Sequence, residues 1–301
     1  MKKILIVLLF TTSAMAQDFT PLYSHGIPNY KEVVNKQSAA KGADGIERIS
    51  KVTVPTYRFF PASTGKDPKT CVVICPGGGY RILASSHEGY DIAAKFNEIG
   101  VSALVLYYRL PEDSAQVEKK YAPLQDAQAA LALVRENAAK WNVDPNKVGI
   151  MGFSAGGHLA ATASTHFTKD YTGILPGANL RPDFSILLYP VISVRSFGHG
   201  GSSQNLLGKN PSEEDLNLHL NIGHHLVDPS NYHLIRKTND YLSQIVLKNN
   251  EAFFAVIGTT FSESLTSSTG TILKEEIMTT TFYTEKHGIW KITRVDNILS
   301  H

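Results

Sequence analysis

The sequence predicts an α/β protein with a doubly wound, mostly parallel sheet, because strand and helix signals alternate along it. Short apolar runs at 69–75, 101–108 and 182–190 are typical of buried strands. Between them, 90–99 and 123–141 have the apolar spacing of helices. With 301 residues, 43% of them hydrophobic, the chain is long enough to bury one such core.

One strand-to-helix transition carries a chemical motif. Residues 147–151 form an apolar strand-type run, Gly152-Phe153-Ser154-Ala155-Gly156 follows the pattern G-x-S-x-G, and the small residues of 157–163 suit a tightly packed helix. A sharp turn of this kind exposes the serine hydroxyl, and its glycines remove Cβ atoms that would collide. The pentapeptide also occurs by chance, but its context favours Ser154 as a catalytic nucleophile.

A glycine-rich loop supports this interpretation. Strand 69–75 runs into Pro76-Gly77-Gly78-Gly79-Tyr80. Three consecutive glycines let the backbone turn its N–H groups toward a substrate, as in one half of an oxyanion hole. The helix that begins after the serine would supply the other half. The alternative is a flexible glycine turn, but the loop precedes the serine motif, which is the order of the α/β-hydrolase fold.

Several motifs in register resemble the acetyl xylan and feruloyl esterase-like branch of the α/β hydrolases, the carbohydrate esterases, over residues 46–218. These motifs lie at 76–80, 87–89, 108–111, 123–127, 152–160, 199–202 and 205–208. The resemblance implies that Ser154 is the nucleophile and that the Gly78, Gly79 and Ala155 amides form the oxyanion hole. His199, in a glycine-rich loop, is a candidate for lining the site, whereas His158 is expected to pack inside the helix after Ser154.

The acid and base that a serine esterase needs are not recognisable. In this fold they follow the serine in the order acid, then histidine. Asp228 and Asp240 are weak candidates for the acid, and His287 is a weak candidate for the base. The hypotheses are therefore an esterase that uses an acyl-enzyme on Ser154, or a catalytically impaired hydrolase core or fusion that acts as a binding module or is not functional.

The segment 221–301 departs from the resemblance. Its sequence predicts antiparallel strands rich in β-branched and aromatic residues, at 251–260, 272–284 and 289–297. Residues 285–288 would form a hairpin turn, which places His287 in the turn. Gly288-Ile289-Trp290-Lys291-Ile292 resembles the last strand of the SnoaL-like α+β family. We therefore expect a truncated hydrolase sheet followed by an antiparallel β segment.

The N-terminus has the pattern of a signal peptide. Lys2-Lys3 precede an apolar run at 4–10, and Ala14-Met15-Ala16 resembles a cleavage site. The apolar run is too short to span a bilayer; the alternative is a buried N-terminal strand. We expect a secreted or periplasmic protein, free of the membrane after cleavage. The predicted organisation is a signal peptide at 1–16, an extended lead-in at 17–45, the hydrolase core at 46–220 and the divergent tail at 221–301.

Composition excludes other classes of function. The net charge is +2 and the basic residues are scattered, so no nucleic-acid footprint is present in the sequence. Cys71 and Cys75 lie about 13 Å apart on one strand, too far for a disulfide. The spacing of the later histidines matches no metal template. The prediction is therefore an exported esterase without cofactor or metal. Its substrate would be an acetyl or feruloyl ester of plant polysaccharide, either a small molecule or the polymer itself.

Overall fold

The computed structural model describes a large central part of the chain and the backbone of four later strands. The structure describes the backbone and side chains of residues 19–62, 69–191, 194 and 199–219. It describes only the backbone of residues 240–248, 251–265, 272–286 and 289–300. The predicted signal peptide, Asp228 and His287 lie outside these residues. No helix within the described residues is long and apolar enough to cross a bilayer.

Strands and helices alternate through the described part. The strands are β1 (Thr20–Pro21), β2 (Ser38–Lys41), β3 (Glu47–Ser50), β4 (Thr56–Phe60), β5 (Cys71–Cys75), β6 (Ile82–Leu83), β7 (Ser102–Tyr107), β8 (Val148–Phe153), β9 (Ser185–Leu188), β10 (Asp240–Lys248), β11 (Glu251–Leu265), β12 (Ile272–Lys286) and β13 (Ile289–Ser300). The helices are α1 (Asp91–Glu98), α2 (Ala122–Glu136), α3 (Ala138–Trp141), α4 (Ser154–Thr165), α5 (Gly200–Leu207) and α6 (Glu213–Leu218). A π-helical turn occupies Ser86–Tyr90 and a 3-10 turn occupies Lys119–Tyr121.

The centre of the fold is a parallel sheet in the order β7-β5-β8-β9. Every residue of β5, β7 and β8 is buried, as expected for strands covered on both faces. Right-handed crossovers place α1 on one face and α2 and α4 on the other, because the strand order reverses after β7. This confirms the predicted α/β-hydrolase fold class. The reversal creates a crevice at the carboxyl ends of β5 and β8, where ligands bind in such sheets.

Antiparallel strands extend the sheet on both sides. On one side β4 pairs with β7 and β1 with β4; on the other β10 pairs with β9 and leads to β11, β12 and β13. The three predicted tail strands are confirmed in position and direction, with longer ends. The prediction that the hairpin turn begins at Glu285 is wrong, because Glu285 and Lys286 belong to β12 and pair with Trp290 and Ile289. The strand β10 was not predicted, because its mixed polar and apolar sequence gives only a weak alternation. The resemblance of the tail to a SnoaL-like domain stays a prediction.

The prediction of one continuous helix over 123–141 is wrong, because the helix is interrupted. The structure has α2 and α3 with a break at Asn137, whose backbone dihedrals are φ −94° and ψ 9°. The Asn137 side chain donates a hydrogen bond of 2.9 Å to the Leu133 carbonyl oxygen. A short polar side chain that bonds the preceding turn competes with the regular helical pattern, which accounts for the break.

A fully buried ion pair joins the end of β7 to α2. The Arg109 and Asp126 side chains are both 0% exposed, and Nη2 lies 2.8 Å from Oδ1. The Arg109 amide and Nε also donate to this carboxylate. Arg109 Nη1 donates to the Pro28 carbonyl oxygen at 2.6 Å, and the Tyr23 hydroxyl donates to Asp126 Oδ1 at 2.9 Å. The pair therefore also fixes the N-terminal segment on the core.

Replacing one partner of this pair should be costly. We expect Asp126→Asn to lower the free energy of unfolding by about 3–5 kcal/mol, because it leaves the Arg109 charge buried without a counter-ion. Asp113→Asn is the matched control, since the Asp113 carboxylate is 80% exposed where it pairs with Lys119; its cost should stay below about 1 kcal/mol. Urea unfolding of both variants gives the comparison, and equal losses would contradict it.

Candidate active site

Ser154 occupies a strained turn between β8 and α4. Phe153 ends the strand with extended dihedrals of φ −119° and ψ 135°, and Ser154 begins the helix with φ +49°. A positive φ in a residue with a side chain is sparsely populated and costs free energy, so the surrounding packing must hold it. The predicted strand–turn–helix context of Ser154 is therefore present. The Ala155 amide lies in the first helical turn, where N–H groups have no partner within the helix.

Missing Cβ atoms allow the turn to pack on the end of β5. A Cβ at Gly156 would overlap the carbonyl oxygen of Cys75, and one at Gly152 would overlap the carbonyl oxygen of Gly156. A Cβ at Gly77 would lie 2.6 Å from the Phe153 oxygen and 3.1 Å from the Ser154 Cβ. Close backbone approach is the physical reason for glycine at these positions. It brings Ser154 and the glycine loop into contact.

The glycine loop is folded by its own carbonyl groups. Gly78 and Gly79 have φ of +134° and +65°, which residues with a side chain adopt rarely. The amides of Arg81 and Ile82 both donate to the Gly78 carbonyl oxygen, at 3.0 and 3.1 Å. Within the described part of the chain, the Gly78 and Gly79 amides themselves have no acceptor. Together with the Ala155 amide they are the donors available to an oxyanion beside Ser154, a role that stays a prediction.

Glu88 is a buried carboxylate for which the sequence predicted no role. It is 7% exposed and accepts a hydrogen bond of 2.8 Å from the Gly77 amide through Oε2. Its Oε1 accepts from the Tyr189 hydroxyl at 2.7 Å, and the His87 ring lies 3.6 Å from the same oxygen. Glu88 thus ties the glycine loop to the end of β9. Because the Gly77 amide already donates to Glu88, it is not available to an oxyanion, unlike the amides of the next two glycines.

His158 supports the site from within the core. It is fully buried one turn beyond Ser154, as predicted. Its Nε2 lies 3.1 Å from the His219 carbonyl oxygen, which can only accept, so Nε2 carries the proton. Its Nδ1 then accepts from the Tyr80 hydroxyl at 2.7 Å. Burial lowers the pKa of His158 to about 4, and burial also lowers the pKa of His219 well below its usual range. His158 is therefore a neutral packing residue.

The base and the acid of a triad are not assembled around Ser154 in the described residues. None of the side chains described in the structure forms a hydrogen bond with the Ser154 hydroxyl. His158 is engaged with other partners, and its proton position is fixed by them. Asp228 and His287 lie outside the described residues, so their candidate roles stay predictions.

The backbone register places Asp240 at the same edge of the sheet as Ser154. Phe153 pairs with Leu188 on β9, and Leu188 pairs with Leu242 on β10. Because β10 runs antiparallel to β9, its first residue lies at the carboxyl edge of the parallel strands. Two strand spacings separate β10 from β8, about 10 Å. Asp240 therefore stays a candidate for the acid.

The part of the chain that carries this site is similar to known proteins. The BD-FAE family model matches residues 59–175, a range that contains the glycine loop and Ser154. A solved structure of an acetyl ester-xyloside bifunctional hydrolase from Caldicellulosiruptor lactoaceticus is 35% identical, with a TM-score of 0.53, and the match covers 67% of this chain and 68% of that one. The chain belongs to the acetyl xylan esterase-like family of α/β hydrolases. The predicted family is thereby confirmed.

Two curated relatives are about 40% identical to parts of the chain. An acetylxylan esterase from Xylanibacter ruminicola is 42% identical over 139 residues, covering 46% of this chain and 26% of that protein. An endo-1,4-beta-xylanase B from Butyrivibrio fibrisolvens is 39% identical over 150 residues, covering 49% of this chain and 23% of that protein. The chain thus spans about a quarter of the length of these relatives.

The low pKa of His158 predicts a pH dependence of stability in this family member. An unfolded histidine takes up a proton near pH 6.5, whereas folded His158 does so only near pH 4. The unfolded state therefore binds more protons within this window, and stability falls as pH falls. We expect the free energy of unfolding to fall by roughly 3 kcal/mol between pH 6.5 and pH 4 because of His158 alone.

Urea unfolding across this pH range tests the prediction. The slope of unfolding free energy against pH should be smaller in His158→Gln than in the wild type. The difference corresponds to about one bound proton, or roughly 1.4 kcal/mol per pH unit. His25→Gln, at an exposed histidine, is the control and should keep the wild-type slope. Parallel curves for wild type and His158→Gln would show that His158 is not held neutral.

Proposed function

We propose that this protein is an exported serine esterase that hydrolyses acyl esters of plant polysaccharide through an acyl-enzyme on Ser154. The observation that carries the proposal is the contact between the Ser154 turn and the glycine loop. That contact brings a serine with φ +49° next to backbone amides that have no acceptor in the described part of the chain. The names of the relatives, an acetylxylan esterase and a xylanase, support ester groups on plant polysaccharide as the substrate class.

The proposed mechanism follows from the positions of these groups. Ser154 Oγ attacks the ester carbonyl carbon while a base takes its proton, and the carbonyl oxygen becomes an oxyanion. The amides of Gly78, Gly79 and Ala155 would donate to this oxyanion, and a lost donor of this kind typically costs about 10²–10³ in kcat. The protonated base gives its proton to the leaving oxygen, so that the alcohol departs. Water then attacks the acyl carbon as the base takes a proton from it, and return of that proton to Oγ releases the acid and restores the Ser154 hydroxyl. The base would come from the chain beyond residue 219.

Export is part of the proposal. It rests on the basic, apolar and small-residue pattern of residues 1–16, which is typical of a signal peptide. A plant polysaccharide is an extracellular polymer, so a secreted or periplasmic location fits this class of substrate. The acyl group of the proposed substrate is acetyl or feruloyl.

Hydrolysis of p-nitrophenyl acetate by the purified protein tests the nucleophile. We expect Ser154→Ala to lower kcat by at least about 10³-fold, because members of a catalytic unit act together. Ser114→Ala removes an exposed hydroxyl elsewhere on the chain and is the matched control, expected to keep the wild-type rate. Equal rates for wild type and Ser154→Ala would contradict the assignment of the nucleophile.

A second candidate function has one observation in its favour. No described side chain bonds the Ser154 hydroxyl, as would hold for a hydrolase core that binds ligands without turnover. In that case the wild-type protein and Ser154→Ala would both lack ester hydrolysis, while both could still bind xylo-oligosaccharide. Isothermal titration with acetylated xylo-oligosaccharide separates this function from an esterase.

A further inference from the structure

The glycine loop packs against the beginning of α5 at one of its three glycines. The Cβ positions of Gly77 and Gly78 are occupied by backbone atoms of neighbouring residues. At Gly79 the nearest atoms are Ser202 Oγ at 3.7 Å and His199 Cε1 at 3.9 Å, which is ordinary contact distance. Gly79, one of the proposed oxyanion donors, therefore lies beside the beginning of α5, with ordinary van der Waals spacing between its Cβ position and that segment.

The beginning of α5 is fixed on the glycine loop. Asn205 Nδ2 donates a hydrogen bond of 2.8 Å to the Gly79 carbonyl oxygen, although the two residues are 126 positions apart. Ser202 and Leu206 are each 1% exposed, so this face of the helix is packed against the core. His199, directly before the helix, therefore has a defined position beside Gly79.

The hydrogen bonds of His199 determine which ring nitrogen carries the proton. The Ser202 backbone amide donates to His199 Nδ1 at 3.1 Å, and the Ser202 hydroxyl lies 2.8 Å from the same nitrogen. Because a backbone amide can only donate, Nδ1 accepts, and the neutral ring holds its proton on Nε2. The His199 side chain belongs to an exposed residue, so this N–H group is accessible to a ligand.

This arrangement differs from that of a triad base. A catalytic histidine donates from Nδ1 to a carboxylate and receives the serine proton on Nε2. His199 has the opposite proton arrangement, with an acceptor at Nδ1 and a donor at Nε2. It can therefore offer a hydrogen bond to an oxygen atom of a ligand, but it is not poised to take the Ser154 proton.

We propose that His199 is a specificity-determining residue that donates a hydrogen bond from Nε2 to a sugar oxygen of the substrate. The inference rests on the proposed esterase function and specifies the alcohol side of the ester. Nε2 is bonded to Cε1, which lies 3.9 Å from the Cβ position of Gly79, so the donor is adjacent to a glycine of the proposed oxyanion site. Sugars present hydroxyl and ring oxygens as acceptors there, whereas the methyl group of an acetyl moiety presents none.

Two substitutions separate this role from the capping of α5. His199→Asn keeps an oxygen that accepts from the Ser202 amide, since Asn is among the best N-cap residues, but it removes the Nε2 donor. His199→Gln gives up the short cap acceptor but places an amide N–H near the position of Nε2. His25→Asn, at an exposed histidine on the N-terminal segment, is the matched control. Thermal unfolding of each variant reports any effect on folding.

The readout is kcat/KM on three esters: acetylated xylo-oligosaccharide, with sugar oxygens; methyl ferulate, with oxygens on the acyl side; and p-nitrophenyl acetate, with no sugar. We expect His199→Asn to lower the ratio of the first to the third about fivefold to tenfold, the effect of one hydrogen bond. His199→Gln should restore part of this ratio, and His25→Asn should leave it at the wild-type value.

Three results would overturn the inference. Unchanged kcat/KM on all three esters in His199→Asn would show that no sugar oxygen accepts from this ring. A loss confined to methyl ferulate would place the donor on the acyl side. An equal loss on all three esters would make His199 part of the general chemistry. If the wild-type protein hydrolyses none of the esters, the proposed function itself fails, and that outcome is distinct from the other three.

Discussion

The close approach of α4 to the end of β5 determines how the rest of the site is arranged. It is possible because Gly156 has no Cβ atom, which would overlap the Cys75 carbonyl oxygen, and Gly152 likewise leaves room for the Gly156 carbonyl oxygen within the turn. The same contact holds Ser154 at a positive φ and brings its Cβ next to Gly77. Ser154 and the amides of the glycine loop are therefore positioned by one packing constraint, whose free-energy cost the surrounding core must offset.

Buried polar groups hold the segments that meet at this contact. Glu88 joins the Gly77 amide to the end of β9, and the Tyr80–His158 hydrogen bond joins the glycine loop to α4. Further from the serine, the Arg109–Asp126 pair anchors α2 and the N-terminal segment on the end of β7. In an interior of low polarity each of these groups needs its partner, so the network favours one arrangement of the loops.

The sequence predicts those parts of the site that depend on local backbone requirements. The turn at Ser154 and the triple-glycine loop need particular residue types at adjacent positions, and both form as expected. The contacts of Glu88 and Asn205 join positions far apart along the chain and follow no periodic pattern, so only the folded arrangement reveals them. The break at Asn137 was missed because a side-chain hydrogen bond overrides the helical spacing. The acid and base have no recognisable motif after residue 219.

Reaction with a fluorophosphonate tests most directly whether this packing produces an activated serine. The reagent labels a serine hydroxyl rapidly only where a base removes its proton and donors stabilise the developing charge. We predict rapid labelling of one serine per molecule. Mass spectrometry of the digested protein should find the adduct on the peptide that contains Ser154. Labelling that is absent, or no faster than that of a denatured sample, would contradict it.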